Sequence, residues 1–85
     1  MKNYFILFTF HSTHLALEFE RTLKSEDIFV KLIPVPRKIS SSCGLAGKIK
    51  EDELTEIKNI CDKKNIEYEE IYKVFEDKNK VPEII

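Results

Sequence analysis

Apolar positions in this chain alternate between a period of two and a period near 3.6, and their succession predicts the fold. The run Tyr4-Phe5-Ile6-Leu7-Phe8-Thr9-Phe10 is apolar on both faces, as a central strand requires. His11-Ser12-Thr13-His14 follows, where Ser12 or Thr13 can cap a helix. That helix is predicted over Thr13 to Ser25, with Leu15, Ala16, Phe19 and Leu23 on one face, and Glu26-Asp27 ends it. Phe29 to Ile33 reads as a second strand with Val30 and Leu32 on one face and Lys31 on the other; Pro34 and Pro36 stop it. A weaker third strand spans Leu45 to Lys50. Glu51-Asp52 then opens a second helix that runs to Lys64, with Leu54, Ile57, Ile60 and Cys61 inward and Asn65 as a left-handed cap. Tyr68 to Phe75 is a fourth strand.

The order βαββαβ predicts an α+β, ferredoxin-like sandwich: a four-stranded antiparallel sheet with two helices on one face. Residues 1–75 form one such domain, and 76–85 read as a charged, flexible C-terminal tail. In this topology the third strand lies antiparallel between the first two. His11 to His14, the loop between the second and third strands, and the Asn65–Glu67 turn then share one edge of the sheet. Cys43 is thereby expected near the N-terminus of the first helix.

Charge sharpens the picture because it is uneven. The 85 residues carry a formal net charge of -1, yet no Asp or Glu occurs from Ile28 to Lys50, where Lys31, Arg37, Lys38, Lys48 and Lys50 all fall. The overall balance gives no case for nucleic acid, and the aromatics crowd one strand instead of interleaving with cations. No apolar stretch approaches the roughly 20 residues of a membrane span, and no leader segment is visible. Two cysteines, Cys43 and Cys61, make no disulfide framework, so a cytoplasmic protein with reduced thiols is expected.

Chemistry concentrates in Pro34-Val35-Pro36-Arg37-Lys38-Ile39-Ser40-Ser41-Ser42-Cys43-Gly44-Leu45. A thiol reacts as its thiolate, which neighbouring cations and helix N-termini favour. Cys43 is therefore the candidate reactive atom. Arg37 and Lys38 supply charge, Ser42 and its neighbours can hydrogen-bond an anion, Gly44 allows close approach, and His14 can position or protonate a sulfur ligand. Cys61 falls at helical spacing from Leu54 and Ile57 and reads as core. His11, His14 and Cys43 make an incomplete zinc set, without a C-x-x-C or a fourth ligand, so no metal is assigned. Gly44-Leu45-Ala46-Gly47-Lys48 lacks the spacing and the following Ser or Thr of a phosphate loop. The Cys43-to-Lys48 stretch also lacks the arginine of a cysteine phosphatase.

The same loop, preceded by Phe10-His11-Ser12-Thr13-His14-Leu15-Ala16-Leu17, resembles the bacterial family named "putative selenium/sulfur carrier protein-like" over the stretch from the first strand to Tyr72. The Ser-Ser-Cys-Gly string after Pro-x-Pro-Arg carries the resemblance. It implies a carrier in which Cys43 holds sulfur as a persulfide or selenium as a selenosulfide, similar in size and role to small sulfurtransferase proteins. Its partners would be donor and acceptor proteins, with no cofactor. A reading from another class is a small-molecule or anion-binding regulatory module. Ferredoxin-like domains bind metabolites at strand–loop edges and pair through their sheets, which allows a homodimer.

Overall fold

A computed structural model describes residues 4–39, 43–77 and 79–85. Strand β1 (Tyr4–Thr9) is followed by helix α1 (Thr13–Ser25), β2 (Lys31–Pro34), β3 (Leu45–Ile49), a 3-10 turn (Glu51–Glu53), α2 (Leu54–Lys64), β4 (Glu70–Phe75) and β5 (Glu83–Ile84). The sheet is antiparallel in the order β2-β3-β1-β4-β5, so the apolar first strand is central. Among the described residues no helix is long and apolar enough to cross a membrane.

Alternation along β1 divides the core between the two faces of the sheet. On one face, Ile6 and Phe8 meet Ala16, Phe19 and Leu23 of α1 and Ile57 and Cys61 of α2, so both helices cover the same side. On the other, Leu7, Ala46 and Val74 are covered by Val35 and Ile39, which brings the Pro34–Ile39 segment across the sheet. Thr9 is fully buried, and its Oγ1 accepts a hydrogen bond from the Glu70 amide at 3.1 Å.

Local signals set the helix ends. Ser12 Oγ accepts from the Leu15 amide at 3.3 Å, the capping bond that fixes the start of α1. Asn65 takes the left-handed conformation (φ 56°) after α2, and the Ile66 amide returns to Cys61 O at 2.9 Å. Ile66 is buried behind this turn, as expected of the apolar residue that follows such a cap.

Three expectations need correction. The sheet has five strands, not four, because Ile84 and Glu83 pair with Tyr72 and Lys73 and occupy the outer edge of β4. Strand β2 begins at Lys31, paired with Lys48, and not at Phe29. Beyond Ile49 the partner chain turns into the 3-10 segment, so Phe29 has no strand to pair with and stands 66% exposed. Strand β4 begins at Glu70, opposite the end of β1. Tyr68 instead packs edge-on against Phe8, with ring centroids 5.0 Å apart.

Gly47 sits where α1 presses on the sheet. A Cβ there would lie 2.8 Å from Cε2 of Phe19, a fully buried ring that would have to shift. Gly47→Ala is therefore expected to destabilise the protein by about 1–3 kcal/mol, read by urea denaturation, from overpacking despite the better strand propensity of alanine. An unchanged midpoint would show that the ring moves freely.

Candidate functional site around Cys43

The edge of the sheet where β1 ends and β3 begins gathers the first turn of α1 and the residues just before β3. Cys43 lies in this corner, packed into the helix-side core and only 6% exposed. Its Sγ accepts a hydrogen bond from the Leu45 amide at 3.3 Å. Thr13 Oγ1, on the first residue of α1, stands 3.6 Å from the same sulfur, with either atom able to donate. The expected meeting of Cys43 with the start of the first helix is thus present. Because Ser12 takes the capping role, the Thr13 hydroxyl is available to face the thiol. Of the two residues expected to be able to cap the helix, Ser12 is the one that does.

Gly44 is exposed, has no positive φ, and a Cβ on it would meet nothing within 4 Å. Neither backbone conformation nor packing requires glycine there. Ser42, with Ser40 and Ser41, lies outside the described residues.

The other candidates are arranged differently. His14 is exposed on α1, with Nε2 3.5 Å from Glu18 Oε2, while His11 Nδ1 lies 3.8 Å from Glu69 Oε2. Among the described residues no group of three His, Cys, Asp or Glu side chains could hold a metal ion. Arg37 and Lys38 line a groove with Val74, Phe75, Asp77, Lys80 and Pro82. That groove follows the later half of β4, whereas Cys43 is beside the turn at the end of β1. A window of charge in the sequence does not reveal which face of a sheet a returning loop will cross.

A family model described as "Putative Se/S carrier protein-like" matches residues 4–73. The chain belongs to that family. The match runs from the start of β1 into β4, includes the Cys43 corner and stops before β5. No curated protein and no solved structure matches the chain.

The second thiol of this family member, Cys61, is buried on the core face of α2. Burial pushes Cys61 up to about 11, and the neighbouring Asp62 carboxylate acts in the same direction. Tyr68 is also raised, first by burial and then by the charges of Cys61 and Asp62. The folded state holds the Cys61 proton more tightly than the unfolded chain does. Its contribution is therefore complete below the ordinary thiol pKa of 9.0 and is lost as pH rises towards 11. Melting temperature is expected to fall across that window, and Cys61→Ala should flatten the part of the fall that Tyr68 does not cause. An equal fall in the variant would remove Cys61 as its source.

Proposed function

We propose that this protein carries sulfur or selenium on Cys43, receiving the atom from one protein and passing it to another. The observation that supports this reading most is the hydrogen-bonded seat of the sulfur, between the Leu45 amide and the Thr13 hydroxyl, inside the segment matched by the carrier family. Transfer is a thiol exchange: the Cys43 thiolate attacks the terminal sulfur of a donor persulfide, a new S–S bond forms, and the donor S–S bond breaks. The electron pair leaves with the donor thiolate, so no external oxidant or reductant is needed. The acceptor thiolate repeats the attack on the Cys43 persulfide. A donor perselenide gives a selenosulfide by the same balance.

Arg37 and Lys38 serve in this reading as a surface for an acidic partner, since both are exposed along one groove. The ferredoxin-like assignment of the domain is supported by the antiparallel order β2-β3-β1-β4 of its first four strands, with β5 as an addition at the edge.

Incubation with a cysteine desulfurase and cysteine tests the proposal. Intact-mass spectrometry is expected to show a gain of one sulfur, about 32 Da, reversed by dithiothreitol and mapped to the Cys43 peptide. Failure of the gain to appear with several persulfide donors would sink the carrier reading.

A further inference from the structure

The sheet face away from the helices is only partly covered by the Pro34–Ile39 segment. Towards the start of β1 it stays open as a cleft of about 550 Å³, lined by Tyr4, Phe5, Phe29, Lys31, Lys48 and Lys50, with Ile49, Glu51 and Asp52 completing the wall. This volume lies within the range of small-molecule sites, roughly 300–1,000 Å³. The cleft is at the opposite end of β1 from Cys43.

Two features of the cleft are unfavourable in the protein alone. Lys31 and Lys48 are direct register partners across β2 and β3, a like-charge placement that weakens a strand pair. Among the described residues neither has a carboxylate within ion-pairing distance; Lys48 Nζ instead lies over the Phe5 ring, 4.4 Å from its centroid. Phe29 adds an aromatic ring that is 66% exposed in the same wall. An anion between the two ammonium groups would relieve the repulsion, and a flat ring against Phe29 would cover the exposed apolar surface. Two lysines paired across neighbouring strands suit a phosphate dianion better than a single carboxylate. Asp52 in the same wall can accept a hydrogen bond from a base N–H group.

We propose that this cleft binds a nucleoside monophosphate, with its phosphate at Lys31 and Lys48 and its base against Phe29. The site is independent of the thiol. It adds a ligand-binding function to the carrier role proposed for Cys43.

The test is a nitrogen-15 NMR titration of the full chain with AMP, UMP, adenosine and inorganic phosphate. AMP or UMP is expected to give saturable shifts at the Phe29, Lys31, Lys48 and Lys50 amides. Adenosine and phosphate alone should bind at least about tenfold more weakly, each lacking half of the contacts. Lys48→Gln should weaken nucleotide binding by about tenfold through loss of a charge-assisted contact. It removes a like charge and the contact with the Phe5 ring together, so the melting temperature should change little. Cys43→Ser should bind as the wild type does. The proposal is overturned if neither nucleotide gives saturable shifts at millimolar concentration, or if phosphate alone binds as tightly. Shifts confined to Arg37 and Lys38 would also overturn it.

Discussion

Cys43→Ser is expected to eliminate the sulfur adduct completely, while Cys61→Ala retains it in full. A serine oxygen in the same corner can still accept from the Leu45 amide and meet the Thr13 hydroxyl, so the fold should persist. What it cannot do is form the S–S bond on which the transfer depends. Cys61 has the opposite character. It is 2% exposed, packed between α2 and the sheet, and its proton is held up to about pH 11, so little thiolate exists at neutral pH. Intact mass after desulfurase treatment separates the two thiols directly, and a Cys43→Ser protein that still gained sulfur would overturn the assignment. Thr13→Val is the finer probe. Loss of one hydroxyl facing the sulfur should slow iodoacetamide alkylation of Cys43 by roughly three- to tenfold, the kinetic equivalent of one hydrogen bond. An unchanged rate would reduce Thr13 to a packing residue.

The largest stability loss is expected at Phe19. Its side chain is fully buried between the two other core rings, with centroids 4.9 Å from Phe8 and 5.0 Å from Phe10. Gly47 lets α1 approach closely enough for that ring to rest on β3. Truncation removes ring contacts on three sides, and backbone collapse cannot refill the space because β1 and β3 are fixed by their ladder. Phe19→Ala should therefore cost about 3–5 kcal/mol in urea denaturation. A loss below about 1 kcal/mol would mean that the helix resettles on the sheet. The effect should reach the thiol as well. Phe19 holds the helix whose first residue faces Cys43, so the variant should also alkylate at a changed rate.

Helices were the most legible part of the chain. Ser12, Asn65 and the apolar spacing of Ala16, Phe19 and Leu23 are signals carried by a few adjacent residues, and α1 spans the expected Thr13–Ser25. The corner that holds Cys43 was legible through topology, because the antiparallel placement of β3 beside β1 decides which turns are neighbours. The fifth strand was not. A two-residue strand depends on an edge left open by β4, and nothing within Val81-Pro82-Glu83-Ile84-Ile85 announces that edge. Closeness in sequence does not place Arg37 and Lys38 beside Cys43. Val35 and Ile39 are drawn onto Leu7 and Val74, and this apolar pull carries the intervening cations over the far face. The pairing of Lys31 with Lys48 was equally hidden, since register joins residues that the sequence keeps apart.

The position of β1 has a consequence for synthesis. It leaves the ribosome before the other four strands described, yet one of its two neighbours, β4, follows only after α2, with Tyr4 opposite Phe75. Until β4 emerges, β1, α1, β2 and β3 can assemble only a sheet whose most apolar strand lies at the rim. Such an edge is a template for pairing with other chains. The nascent protein should therefore depend on chaperones or on rapid translation through its second half. The Cys43 corner, built from α1 and the approach to β3, can form before that rim is closed.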